Sequence, residues 1–148
     1  VIIKDKVGKS HLCSLNLDNE KTLALIQLSE IEKKNEFYNA NKELKLVLED
    51  FVKSAAQYSL AVILFGSYAK GTAAKDSDID ILVIIKKEVK IDKITKEIYA
   101  KYGKEITAIK ISVHDFERQR DKAIIKEIIG NHYVLYGTEN FVNSVFKK

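Results

Sequence analysis

The sequence holds no proline, no methionine and no tryptophan, a single cysteine and six glycines. These gaps close off several readings. Cys13 alone cannot build an internal disulfide framework or a cysteine-based zinc site, and it reads as a small apolar residue. The three histidines, His11, His114 and His132, lie far apart in the chain. None has the spaced partner of a zinc site or a catalytic dyad. No apolar run approaches the roughly 18–20 residues that a bilayer-spanning helix needs, so no membrane partner is expected. The first residues lack the charged and apolar regions of a secretory signal, and the expected compartment is the cytoplasm. A chain that starts at Val1 and holds no methionine is expected to be a fragment or a trimmed product. No internal repeat or low-complexity linker interrupts it.

What is present is ordinary for a water-soluble globular protein. The chain has 148 residues, 46% hydrophobic and 31% charged, room for one domain or one small domain with an appendage. A net charge of +4 permits nucleotide or nucleic-acid binding without demanding it.

The central stretch runs from Leu60 to Ile85. Leu60 to Phe65 is an unbroken apolar run, the pattern of a strand buried on both faces. Gly66-Ser67 ends it, Gly71 closes the next short segment, and Asp76-Ser77 is a turn signal. Asp78-Ile79-Asp80 then opens a second apolar run that continues to Ile85. Residues i and i+2 of a strand share a face, so Asp78 and Asp80 are expected side by side with Ile79 turned into the core. Two adjacent ionised carboxylates repel and call for a compensating charge. Mg²⁺ is commonly held by one or two carboxylates together with substrate phosphates. Gly66 offers a backbone that a phosphate can approach, free N–H groups at a helix start bind anions, and the Ser67 hydroxyl can donate once more.

Gly66-Ser67, ten residues, then Asp78-x-Asp80 resembles the signature of the DNA polymerase β-like nucleotidyltransferase superfamily, and most closely its minimal nucleotidyltransferases. The run Gly66-Ser67-Tyr68-Ala69-Lys70-Gly71 is similar to their motif helix, in which arginine often occupies the place of Lys70. The Val-Leu-Tyr-Gly ending at residues 134–137 is similar as well, so the resemblance covers roughly residues 42–140. It implies an α/β (α+β) nucleotidyltransferase fold, a small mixed sheet flanked by helices. It implies a metal at Asp78 and Asp80, Mg²⁺ or Mn²⁺, and a nucleoside triphosphate, ATP in the first place, held by Gly66, Ser67, Lys70 and Gly71. The implied reaction moves a nucleoside monophosphate onto an acceptor hydroxyl. Members of this type often serve as antitoxins that attach AMP to a HEPN-fold protein, the implied partner. The superfamily usually adds a third carboxylate on a later strand. Here that strand, Glu105 to Val113, carries Ile109 and Lys110 where an aspartate is sought, and only Glu105 is acidic. Glu105 is therefore the third catalytic candidate.

The rest of the chain frames this stretch. Residues 1–17 read as a hairpin, with an apolar start, a charged tip at Lys4–Lys9 around Gly8 and alternation returning from Leu12. It resembles the wing and last strand of a winged-helix DNA-binding domain, which would make Lys4, Lys6, Lys9 and His11 phosphate contacts and DNA a partner. Asp18 or Asn19 is expected to cap a helix running to about Asn35, and a second helix is expected over 42–58. Residues 91–102 read as a third helix stopped by Gly103, 105–113 as a strand, 115–129 as one long helix capped by Asp115, and 133–136 as a terminal strand. The expected division is 1–40, hairpin plus linker helix, and 41–148, nucleotidyltransferase domain. A homodimer is compatible with all of this. Two readings stand: an enzyme, and a winged-helix transcription regulator whose nucleotidyltransferase domain senses a nucleotide or is inactive.

Overall fold

The structure, a computed structural model, describes residues 1–147. A hairpin of β1 (Ile2–Val7) and β2 (Ser10–Leu15) comes first. Helices α1 (Glu20–Ala40) and α2 (Lys42–Ala55) follow, then a single 3₁₀ turn over 56–58 and β3 (Ser59–Phe65). The short helix α3 (Gly66–Lys70) leads by a loop to β4 (Ile79–Ile85). Then come α4 (Ile91–Tyr102), β5 (Ile106–Ser112), α5 (Val113–Arg118), α6 (Ala123–Gly130), β6 (Tyr133–Tyr136) and α7 (Thr138–Phe146).

The main sheet has the order β5-β4-β3-β6. β3 runs antiparallel to both β4 and β6, while β4 and β5 are parallel and joined by the α4 crossover. The apolar runs of β3 and β4 sit at the centre and are buried on both faces, as their composition requires. On one face Val62, Leu64, Ile81 and Val83 pack with Leu48 and Phe51 of α2 and Ile94 and Ile98 of α4. On the other, Ala61, Ile63, Leu82 and Ile84 pack with Phe116, Ile128 and Phe141 from α5, α6 and α7. The N-terminal half of α1 adds Leu23 and Ile26 to this second layer. Burying an aliphatic or aromatic side chain of this size contributes about 1.5–3 kcal/mol, so these two layers dominate the stability.

Several elements differ in extent from the sequence expectation. Asn19 does cap α1, its side chain accepting from the Lys21 N–H, but the helix runs five residues further, to Ala40, because Phe37 and Tyr38 keep burying apolar surface. The second helix ends at Ala55, where the chain tightens into the 3₁₀ turn and the buried Ser59 hydroxyl donates to the Ala55 carbonyl at 2.7 Å. The long helix expected over 115–129 is two helices. Gln119, Arg120, Asp121 and Lys122 offer nothing to bury, and the chain breaks there. Its cap is Ser112, not Asp115. The Ser112 hydroxyl accepts from the Asp115 N–H at 3.1 Å and donates to the Asp115 carboxylate at 2.9 Å. Helix α7 was not expected at all.

Candidate active site

The site forms where β3 and β4 end side by side. Phe65, the last residue of β3, pairs in register with Asp80 near the start of β4. The chain leaves β3 at Gly66 with φ +69°, a left-handed conformation that favours glycine. A Cβ there would lie 2.9 Å from the Asp80 Cγ and 3.0 Å from its Cβ, closer than packing allows. The absence of a side chain at Gly66 is therefore what lets the α3 turn close over the Asp80 carboxylate. Ahead of β4, the Ser77 hydroxyl accepts from the Ala74 N–H at 2.8 Å and the Ser77 N–H donates to the Ala74 carbonyl at 3.1 Å. That closed turn fixes the direction from which Asp78 enters the strand.

Ile79 is fully buried, so its neighbours Asp78 and Asp80 turn to the opposite side, Asp78 exposed and Asp80 half-buried. Asp80 lies on the same face as Leu82 and Ile84, at the open end of the second core layer. Partial burial, the charge of Asp78 and the charge of Glu127 together hold the Asp80 carboxyl above the usual aspartate range. Among the described residues the Ser67 hydroxyl has no hydrogen-bond partner within the protein.

Glu127, on α6, escaped the sequence reading. It makes an ion pair with Lys70 of α3, tying the motif helix to α6. Nothing in the linear pattern marks it, because 46 residues of chain separate it from Asp80 and only the fold of α6 over the sheet brings its charge there. Lys70 thus has a carboxylate partner in the protein itself.

The parallel register of β4 and β5 settles what stands beside the aspartates. Asp80 is level with Thr107, Leu82 with Ile109 and Val83 with Lys110. The strand position adjoining Asp80 is thus Thr107, two residues before Ile109, where the sequence reading looked for an aspartate. Glu105 is exposed, and its carbonyl accepts from the Ile79 N–H at 2.9 Å, which brings it to the level of Asp78.

Asp78 and Asp80 are the residues that could hold a divalent cation. No group of three or more His, Cys, Asp or Glu side chains gathers as a metal site among the described residues. The donor set is two carboxylates on one open face, one of them strained by like charge. That fits a hard cation that completes its shell with phosphate and water. The neighbouring hollows, about 570 Å³ beside α2 and about 480 Å³ beside α1, both use Tyr68 as a wall, and neither includes either aspartate.

The sequence model of the family described as "Nucleotidyltransferase domain" matches residues 44–136, close to the span that the motif suggested. The chain belongs to this nucleotidyltransferase family. A protein of Methanocaldococcus jannaschii named "Putative protein adenylyltransferase MJ1305" is 33% identical over 112 residues, covering 68% of this chain and 76% of that protein. A second from the same organism, "Putative protein adenylyltransferase MJ0604", is 38% identical over 77 residues, covering 51% and 76%. A solved structure described as "Crystal structure of the toxin-antitoxin with AMP-PNP" superposes with TM-score 0.46 and 18% identity, over 69% of this chain and 77% of that one. No helix of this nucleotidyltransferase, among the described residues, is long and apolar enough to cross a membrane.

Proposed function

We propose that the chain is an adenylyltransferase that moves AMP from Mg²⁺-bound ATP onto a hydroxyl side chain of a partner protein. The observation that carries this reading is the join of the two strand ends. Asp80 lies against Gly66 while Asp78 stands two residues before it on the same open face. Asp78 and Asp80 would hold the cation, whose chemistry when bound is to neutralise charge on the triphosphate. Gly66 and Ser67 would receive the β and γ phosphates on backbone N–H groups and the Ser67 hydroxyl. Gly71, whose N–H donates back to the Ser67 and Tyr68 carbonyls, would close the phosphate turn, and Lys70 would add its charge by exchanging Glu127 for phosphate. The acceptor oxygen forms a bond to the α-phosphorus. The bond from that phosphorus to the β-bridging oxygen breaks, and pyrophosphate leaves with its electron pair. The hydroxyl proton would pass to a carboxylate, for which Glu105, whose backbone is level with Asp78, is the candidate. Catalysis is then positioning plus electrostatic complementarity.

The choice of ATP and of a protein acceptor is supported by the names of the two relatives. The resemblance to minimal nucleotidyltransferases makes a HEPN-fold toxin the first acceptor to try, with this chain as its antitoxin. Incubation with α-labelled ATP, Mg²⁺ or Mn²⁺ and a candidate acceptor should add one AMP mass to the acceptor. The Asp78→Asn, Asp80→Asn double variant should add none. A double variant that still binds Mg²⁺–ATP as the parent does would refute the metal assignment.

A second reading, DNA binding by the hairpin, is favoured by the β1–β2 register. Lys6 pairs with His11 and Lys4 with Cys13, which places Lys4, Lys6 and His11 on one exposed ribbon face with Lys9 at the tip. A two-stranded ribbon of this kind fits a DNA groove. Affinity for duplex DNA should then fall steeply with salt, because phosphate contacts release counterions. Salt-independent binding would speak against it.

A further inference from the structure

Helix α1 carries apolar residues on two sides. Thr22, Leu23, Ile26 and Phe37 face inward against the two core layers. Leu25, Leu28 and Ile31 face outward, 52%, 50% and 39% exposed. Their i, i+3, i+6 spacing gathers them into one stripe. A helix with a single buried side normally keeps charged and polar residues on the other. This one keeps three large aliphatic side chains in water. The charges that flank the stripe also lack a salt-bridge partner: among the described residues, Glu20, Lys21, Glu32, Lys34 and Glu36 make no ion pair, whereas Glu30 and Lys33 on the inner side do.

We propose that this stripe is a dimer interface, in which α1 pairs antiparallel with α1 of a second copy of the chain about a twofold axis beside Leu28. The charge pattern selects this occupant. The basic Lys21 lies at the N-terminal end of the stripe, and Glu32 and Glu36 lie on the same flank at its C-terminal end. Reversing one copy brings each Lys21 to Glu32 and Glu36 of the partner subunit. On the other flank Glu20 comes to Lys34 of the partner subunit. A parallel pairing would set like charges level. In the antiparallel alignment Leu28 meets Leu28, and Leu25 meets Ile31 of the partner subunit. One patch therefore serves both copies, as an isologous interface requires. The interface has an apolar centre and a charged rim, the usual anatomy of such contacts.

The alignment is specific enough to test. In a Cys13→Ser background, Leu28→Cys places one thiol on the axis, so oxidation should give a covalent dimer. Leu25→Cys alone should not, since two copies of that residue lie about 9 Å apart along the helix direction, beyond disulfide reach. Leu25→Cys combined with Ile31→Cys should cross-link again. By sedimentation or light scattering, the parent should gain mass with concentration. Leu28→Glu should weaken association roughly tenfold or more while retaining the parent's melting temperature in its monomer range. Lys21→Glu should weaken it, and adding Glu32→Lys should recover part of the loss. A parent that stays monomeric at every concentration overturns the proposal. So does a dimer indifferent to Leu28→Glu, or one in which Leu28→Cys fails to cross-link.

Discussion

The carboxylate of Asp80 rests against Gly66 so closely that no side chain fits between them. The glycine of the Gly-Ser pair and the second aspartate of Asp-x-Asp are thus one packing unit, although 13 residues of chain separate them. Gly66→Ala would have to move Asp80, and it would place a side chain at φ +69°. A cost of about 1–3 kcal/mol in folding stability is expected from that strain, measurable by denaturant unfolding. Nucleotide affinity in a calorimetric titration should fall with it, because the aspartate is displaced.

Asp80→Asn should act in the opposite sense on the metal-free protein. The Asp80 carboxyl is held above the ordinary range by partial burial and by Asp78 and Glu127. Between its unfolded and folded pKa values the native state binds more protons, so stability falls as pH rises through that interval. At neutral pH the ionised group is a standing cost. Removing it should raise stability by about 0.5–1 kcal/mol. The gain should fade below the pH at which an ordinary aspartate protonates. Comparing parent and variant unfolding at neutral and acid pH checks both parts.

Thr107 stands level with Asp80 and is exposed. Thr107→Asp would supply a third carboxylate from β5. Like-charge repulsion should lower metal-free stability by about 0.2–1 kcal/mol, and Mg²⁺ should restore it more strongly than it stabilises the parent. Thermal melts with and without Mg²⁺ read both effects. A melt shift with Mg²⁺ no larger than the parent's would mean that Thr107 does not look onto the cation.

Among the groups that titrate at alkaline pH, Tyr38 is buried at the end of α1. Burial and the nearby Glu49 carboxylate push its hydroxyl up to about 12. The unfolded chain releases that proton near pH 10, so the native state binds more protons between pH 10 and 12. Stability should fall with rising pH there, by at most about 1.4 kcal/mol per pH unit from this residue. Tyr38→Phe removes the effect. The difference in unfolding free energy between parent and variant should be flat below pH 10 and shift in the variant's favour above it.

The central hairpin of β3 and β4, the α3 turn and both aspartates could be read from the chain because each leaves a local mark. An apolar run buries on both faces, a glycine marks a turn, and an i, i+2 pair shares a strand face. The same holds for α4 and β6, whose ends match the pattern of periodicity and stop signals, and for the N-terminal hairpin, although its strands stay paired through Val7 and Ser10 and the turn is confined to Gly8-Lys9 instead of spanning Lys4–Lys9. Helix α7 and the break between α5 and α6 left weaker marks. Phe141 and Val142 are apolar in sequence, but only contact with β3 and α5 tells which way they pack.

Residue chemistry, and the order in which it occurs, settled by themselves that this chain carries a nucleotidyltransferase motif, and where in the chain it lies. Which acidic groups share a field with the motif was left to tertiary structure. The parallel register set Thr107 beside Asp80, and the packing of α6 brought Glu127 to Lys70. Strand register and helix docking are long-range choices, made by the fit of whole buried faces. A residue's neighbours across them are not written in its neighbours along the chain.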